Sequence, residues 1–283
     1  MDILHTIILG FIQGLTEFLP VSSSGHLVIT SSLYKLISGS EFIQAGGEEI
    51  FTDIILHVGT LFAVVFYFRK DITNMIKAFL TACKTRDFSS LDSKMPIYLV
   101  LATFFTVIIA YPLNEFCEKM VSSPAIVGIF LIITGFVLFA SEHFSKRTQN
   151  DGECNKITLK QALLIGVAQG IAACPGLSRS GMTIAAGLFA GLNRVTAARY
   201  SFLLSILIIL GSSIFYPILK LESGEMAGFN WPAITVGFFV SMLVGYFCVK
   251  YFMQFLNRYS MKCFAYYCWI VGVCAIVFFN FVK

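Results

Sequence analysis

The sequence predicts an all-α integral membrane protein, with six transmembrane helices and two re-entrant helix–loop–helix hairpins in an inverted-topology repeat. Composition is the first reason. Of 283 residues, 57% are hydrophobic and 13% charged, and the mean hydropathy is +0.81. A globular protein usually carries about 25% charged residues, so there is too little charge here to coat a water-facing surface. The second reason is length, because six apolar runs can cross, or nearly cross, a hydrocarbon core of about 30 Å. The third is a pair of apolar stretches, 3–35 and 160–192, each interrupted near its middle by Pro, Gly and Ser.

The first hairpin, 3–35, breaks at Pro20-Val21-Ser22-Ser23-Ser24-Gly25 and is followed by spans at 51–68, 95–112 and 124–141. The second, 160–192, breaks at Pro175-Gly176-Leu177-Ser178-Arg179-Ser180-Gly181, with spans at 199–219, 232–252 and 262–282 after it. Such breaks free backbone N–H and C=O groups, which survive at membrane depth only inside protein or beside a watery cavity. The hairpins also resemble each other. Gly10-Phe11-Ile12-Gln13-Gly14-Leu15 matches Gly166-Val167-Ala168-Gln169-Gly170-Ile171 at an offset of 156, which also carries Ser22, Ser24 and Gly25 onto Ser178, Ser180 and Gly181. Residues 1–283 thus read as one membrane domain holding a first repeat, 1–141, and a second, 160–283.

A hairpin returns to its own side and three spans do not, so the second repeat is expected upside down relative to the first. The two broken loops then meet near the midplane, a known way to build a site in a membrane. Loop charge agrees. Segments 69–94, 142–160, 190–199 and 250–262 hold 15 Lys/Arg, while the opposite side holds 4, with Arg179 in a hairpin loop. The positive-inside rule places both termini outside.

The net charge of +4 sits in loops between apolar runs and gives no reason to expect nucleic acid as a partner. Eight cysteines form no CxxC pair and read as small packing residues. Met-Asp-Ile-Leu-His at the start has no basic region and does not read as a cleavable signal.

Within the apolar stretches the acidic residues are Glu17 and Asp53, the histidines His26 and His57, and the cation Arg179. An ionisable group at membrane depth costs at least about 2.5–3.5 kcal/mol and is a functional candidate by default. Gln13 and Glu17, four apart, share a helix face. Glu17 could bind a hard divalent cation, act as a general base, or cap the freed N–H groups of Ser22–Ser24. Ser22, Ser23 and Ser24 open a helix, where two of the three are expected only to cap. Ser23 and His26, three apart, could form the hydroxyl–imidazole pair of an activated nucleophile; His26 could equally cap or pack. Asp53 and His57 could support the site, carry a proton, or simply pack.

In the second loop, Ser178, Arg179, Ser180, Gly181 and Thr183 put hydroxyls, backbone N–H groups and a guanidinium at a helix start, which attracts anions. Arg matches phosphate oxygens two at a time. Arg179 could also neutralise Glu17 in a structural pair. Together the parts suit a phosphorylated amphiphile whose tail stays in lipid, and phosphoryl transfer to water is the concrete chemistry. No GxxxxGK[ST] loop is present for a soluble nucleotide. A lipid-phosphate flippase is the main rival, since inverted repeats are transporter devices, but it has no use for Ser23 and His26. A structural scaffold would not place five ionisable groups in apolar segments.

Gln13-Gly14-Leu15-Thr16-Glu17-Phe18-Leu19-Pro20-Val21-Ser22-Ser23-Ser24-Gly25-His26 and Pro175-Gly176-Leu177-Ser178-Arg179-Ser180-Gly181-Met182-Thr183 resemble the two signature motifs of the undecaprenyl-diphosphate phosphatase family, also called bacitracin-resistance proteins. The likeness runs along nearly the whole chain, through Phe51-Thr52-Asp53, Gly59-Thr60 and Ser201-Phe202-Leu203-Leu204. The resemblance implies a multi-pass enzyme of the bacterial plasma (inner) membrane that removes the terminal phosphate of the fifty-five-carbon isoprenyl diphosphate, undecaprenyl diphosphate. That reaction recycles the lipid carrier of peptidoglycan synthesis, and bacitracin resistance follows when the enzyme is abundant. Mg²⁺ or Ca²⁺ as cofactor, with Glu17 as a metal ligand, and a site opening to the outer side are further implications. So are roles for Glu17, Ser23, His26 and Arg179 in catalysis, for Ser22, Ser178, Ser180 and Thr183 around the phosphate, and for Gln13 in support; the residues themselves add Ser24 and Gly181 around the phosphate and Asp53 and His57 in support. Ser23 is the position usually proposed as nucleophile.

Two positions depart from the family pattern. Many members carry Glu where Gln13 stands, which puts a two-carboxylate metal clamp in doubt, and many have Pro near Leu207. Oligomeric state, a homodimer included, is not given by the sequence. A neutral His26 or ionised Glu17 acting as base predicts activity that falls at acid pH, and a flat rate profile from about pH 5 to 8 would remove both as bases.

Overall fold

In the computed structural model, residues 2–38, 47–121, 123–148, 157–220 and 228–281 are described. They form eleven helices: α1 (Ile3–Thr16), α2 (Ser23–Ser38), α3 (Gly47–Tyr67), α4 (Arg69–Thr85), α5 (Leu91–Val121), α6 (Pro124–Thr148), α7 (Leu159–Ile171), α8 (Arg179–Phe189), α9 (Arg194–Lys220), α10 (Trp231–Leu256) and α11 (Lys262–Phe281). Six of them, α3, α5, α6, α9, α10 and α11, contain stretches long and apolar enough to cross a membrane, matching the six expected spans. The chain is a multi-pass helical membrane protein.

Local sequence explains the starts and stops. Asp2 caps α1 by accepting from His5 N–H at 2.7 Å. Thr158 and Gln161 form a reciprocal capping box on α7. Asn230 caps α10 with Pro232 in the first turn, where a missing N–H costs nothing. At 14 and 13 residues, α1 and α7 rise about 20 Å, short of the about 30 Å hydrocarbon core.

The spans pack around those short helices. α1 lies against α10, α7 against α5, and α6 against α11. A Cβ on Gly10 would stand 2.7 Å from the Gly237 carbonyl oxygen of α10, and one on Gly166 would stand 2.5 Å from the Ala102 carbonyl oxygen of α5. The two glycines are 156 apart and each brings its helix into backbone contact with a span from the other half of the chain. This close approach of small residues is how helices associate where lipid removes the hydrophobic drive. The core runs through Phe18, Val64, Leu99, Ile165, Ile184, Phe202 and Phe252. Outward faces carry Val100, Phe104, Phe136, Phe239 and Ile270, all exposed, as a lipid-facing surface requires.

Two sequence expectations are corrected. Segment 69–94, read as a loop, contains the helix α4, whose polar and basic residues masked its periodicity. Glu142, read as a loop residue, is fully buried near the end of α6. It accepts from Arg194 Nε at 2.8 Å and Nη2 at 2.7 Å, and from Met261 N–H at 2.9 Å, so that α6, α9 and the turn before α11 are joined by one carboxylate. Removing one partner of such a pair leaves an uncompensated buried charge costing about 3–5 kcal/mol.

Gly166→Val should lower the unfolding midpoint of detergent-solubilised protein by the equivalent of about 1–3 kcal/mol, the usual cost of overpacking. Gly211→Val is the control, because a Cβ there meets nothing within 4 Å and its midpoint should stay near wild type.

Candidate functional site

Both breaks are capped in the same way. In the first, Ser22 Oγ accepts from Gly25 N–H at 3.2 Å and lies 3.4 Å from Ser24 Oγ. In the second, Ser178 Oγ accepts from Gly181 N–H at 3.0 Å and lies 3.2 Å from Ser180 Oγ. Each pair of bonds is displaced by the offset of 156 seen in the sequence. Ser22 takes φ +69° and Gly176 φ +93°. A left-handed serine costs about 1–3 kcal/mol, and such strain clusters at functional sites.

The breaks also hold each other. Ser180 Oγ donates to the Leu19 carbonyl at 2.8 Å. Thr134 of α6 donates to the Gly176 carbonyl and accepts from Ser178 N–H, both at 3.1 Å. Cys248 and Cys268, expected only to pack, lend their thiols to the freed carbonyls of Leu15 and Pro20 at 3.0 and 3.7 Å. Phe18, beside Glu17, is fully buried edge-on against Phe202.

Glu17 sits where the breaks meet, its side chain 3% exposed. Oε2 accepts from Gln13 Nε2 at 2.9 Å and from Ser23 Oγ at 2.5 Å. Oε1 pairs with Arg179 Nη2. His57 Nε2 of α3 lies 3.7 Å from Oε2, and its Nδ1–H is committed to the Asp53 carbonyl at 2.7 Å. Arg179 Nη1 is buried with no hydrogen-bond partner. Ser23 and Arg179 are themselves 156 apart, so the first residue of α2 and the first residue of α8 both reach the same carboxylate.

A cavity of about 200 Å³ opens at this point. Glu17, Ser22, Ser23 and Ser24 line it from the first break and His57 from α3; Ala172, Leu177, Ser178, Arg179 and Ser180 line it from the second break, and Ile208, Ile209 and Ser212 from α9. The starts of α2 and α8 both border it, and the first N–H groups of a helix have no intrahelical acceptor and attract anions.

Of the expected site residues, the cavity brings together Glu17, Ser22, Ser23, Ser24, Ser178, Arg179 and Ser180, and it includes His57. Gln13 acts one step back, through Glu17. His26 does not line the cavity. Its Nδ1–H donates to the Ser22 carbonyl at 2.7 Å, and its Nε2 accepts from Tyr267 O–H of α11 at 2.8 Å. The partner of the Ser23 hydroxyl is therefore Glu17, not His26. Gly181 packs against Ser178 and Pro20. Thr183 is fully buried, donates to the Arg179 and Ser180 carbonyls, and lies 2.6 Å from Ser201 Oγ of α9, a place that ties α8 to α9. Asp53 meets the site through its carbonyl and His57. Nothing in the sequence pointed to Tyr267 or Thr134, whose contacts cross long chain separations.

The family described as "Bacitracin resistance protein BacA" matches residues 6–274. The chain belongs to the BacA family. Among its BacA-like relatives, the undecaprenyl-diphosphatase of Methanosphaera stadtmanae is 38% identical over 98% of each chain. That of Carboxydothermus hydrogenoformans is 37% identical over 98% of this chain and 97% of its own. One from Stutzerimonas stutzeri, named undecaprenyl-diphosphatase 2, is 36% identical over 99% of both.

The BacA-family site also bears on metal binding. Among the described residues no three His, Cys, Asp or Glu gather as a metal centre, and Glu17 is the one carboxylate among the residues lining the cavity. A single carboxylate fits a hard cation that takes its remaining oxygens from a phosphorylated ligand and water, as Mg²⁺ commonly does.

Ser180→Ala removes a hydroxyl bridging the two breaks and leaves the Leu19 carbonyl only its local bond from Val21 N–H at 2.8 Å. The expected loss is about 0.5–1.5 kcal/mol, read as a lower unfolding midpoint, whereas Ser212→Ala, on the cavity wall with its hydroxyl bonded only within α9, should shift it by less.

Proposed function

We propose that the protein is an undecaprenyl-diphosphatase. It hydrolyses the terminal phosphoric anhydride of undecaprenyl diphosphate, recycles the lipid carrier of peptidoglycan synthesis, and confers bacitracin resistance when abundant. One observation carries the reading beyond family membership. A carboxylate, a hydroxyl bonded to it and a guanidinium with a free Nη1 converge on a cavity inside an apolar bundle. Free phosphate would not need lipid-facing walls, and a scaffold would not need the cavity.

The roles follow from charge and reach. Arg179 binds the terminal phosphate through Nη1, with the α2 and α8 N-termini and the hydroxyls of Ser24, Ser178 and Ser180 around it. Glu17 accepts the proton of whichever hydroxyl attacks the terminal phosphorus in line, that of Ser23 or of a water held beside it. The P–O bond to the bridging oxygen breaks and lipid monophosphate leaves. On the serine route a water then hydrolyses the phosphoserine, returns the proton to Ser23 and releases phosphate. His57 Nε2 lies near Glu17 Oε2 while Arg179 pairs with Oε1, and it steadies the carboxylate, with the Asp53 carbonyl fixing the ring. His26 positions the first turn of α2 by holding the Ser22 carbonyl beside Ser23. Mg²⁺ or Ca²⁺ bound by Glu17 and the substrate would neutralise phosphate charge.

The architecture around this site is read as an inverted repeat of two re-entrant hairpins. Support comes from the matched caps and the reciprocal packing of α1 on α10 and α7 on α5. The loop charges favour termini and cavity facing the outer side of the bacterial plasma membrane.

The test is phosphate release from undecaprenyl diphosphate by purified protein with Mg²⁺, Ca²⁺ or chelator. Metal-dependent release is expected, with Arg179→Ala and Glu17→Ala each lowering it by on the order of 10²-fold or more. Ser23→Ala separates a serine nucleophile from water, since only the former predicts a lost phosphoserine intermediate. No release from folded wild type with any metal would overturn the phosphatase reading and favour lipid-phosphate transport. His26→Asn, which keeps a donor near the Nδ1 position, should retain more activity than His26→Ala. Equal loss in both variants would instead make His26 an acid or base.

A further inference from the structure

α4 takes no part in the cavity, and it is too polar to count among the membrane-crossing helices. It follows the span α3 after a single residue, Phe68, so it begins at the end of a membrane-crossing helix. Successive residues turn by about 100° around a helix, which divides α4 into three stripes. One stripe, Ile72, Met75, Phe79 and Ala82, faces the protein; Met75 and Ala82 are 5% and 3% exposed, and Ile72 packs on the core. Asp71, on the same side, pairs with Arg199 of α9. The second stripe, Ile76, Leu80 and Cys83, recurs at four and three residues and is open, with Ile76 51% and Leu80 55% exposed. The third, Lys70, Lys77 and Lys84, recurs every seven residues, is exposed, and forms no ion pair among the described residues.

An open apolar stripe bordered on one side by a lysine row is the pattern of a helix lying in a membrane interface. Its apolar residues reach the acyl boundary while the lysine ammonium groups meet headgroup phosphates. Three apolar side chains are too few for a stable protein interface, which takes about 20–30 residues a side. They are enough for a helix already held at the membrane edge by α3. Lysine, a flexible point charge, suits mobile headgroups better than a fixed acidic partner. We propose that α4 is an interfacial helix that docks this side of the protein on an anionic lipid leaflet, with Ile76, Leu80 and Cys83 in the headgroup–acyl boundary and Lys70, Lys77 and Lys84 gathering lipid phosphates. This holds whatever reaction the cavity performs.

The full-length chain carries its own probe site. With Cys154→Ser, Cys263→Ser and Cys274→Ser, an environment-sensitive fluorophore on Cys83 is read in vesicles of phosphatidylcholine containing phosphatidylglycerol. The expected emission is shifted to the blue and poorly quenched by aqueous iodide. Quenching by doxyl-labelled phosphatidylglycerol should exceed that by doxyl-labelled phosphatidylcholine by about twofold or more at equal mole fraction. K70Q/K77Q/K84Q should bring the two lipids level while keeping the blue shift, and I76S/L80S should move emission to the red with the unfolding midpoint little changed. Free access of iodide with no lipid preference overturns the proposal. So does energy transfer between Cys83 labels on different copies that vanishes on dilution with unlabelled protein, which assigns the face to self-association.

Discussion

A buried carboxylate that must not be left alone organises this molecule. Glu17 lies at the C-terminal end of α1 with its side chain 3% exposed, where an unpaired charge is costly. Its partners arrive from α1, α2, α3 and α8: Gln13, Ser23, His57 and Arg179. Removing one partner of such a pair costs about 3–5 kcal/mol. The positions of four helices are therefore coupled through two oxygen atoms. A buried ion pair is seldom kept for stability alone, since apolar side chains of similar size serve at least as well. Its retention here is better explained by what the unpaired Nη1 of Arg179 is free to hold.

Membrane depth sets the second constraint. Breaking a helix in an apolar bundle exposes polar backbone, and each group needs a partner from protein or water. The structure meets this with side chains from many elements: Ser22 and Ser178 on N–H groups, Thr134 on one of each kind, and two cysteines on carbonyls. The supports explain how strained backbone at Ser22 persists beside a cavity. They also account for cysteines in a protein with no disulfide among the described residues, where a small, weakly polar donor fits a slot that lipid-like packing would leave dry.

The spans, the two breaks and most cavity residues were legible because hydropathy and local motifs are short-range signals. Gln13 and Glu17 share a face by spacing alone, and the Ser22–Ser24 run could be read as the start of a helix. What was not legible depends on tertiary contact. The Ser23–His26 pair was natural at three residues' spacing, yet Tyr267, 241 residues away, takes the imidazole, and Glu17 takes the hydroxyl. Glu142 looked like a loop residue because its partner Arg194 is 52 positions on. α4 was hidden by its own lysines, since a helix with three different faces shows no simple apolar period.

Two identical helix breaks facing one cavity could offer it two serines or two arginines, never one of each. Ser23 and Arg179 occupy corresponding positions, so the combination of a hydroxyl and a guanidinium on one carboxylate exists only because the two breaks differ in sequence. The arrangement around this cavity is in that sense a product of asymmetry between two like breaks.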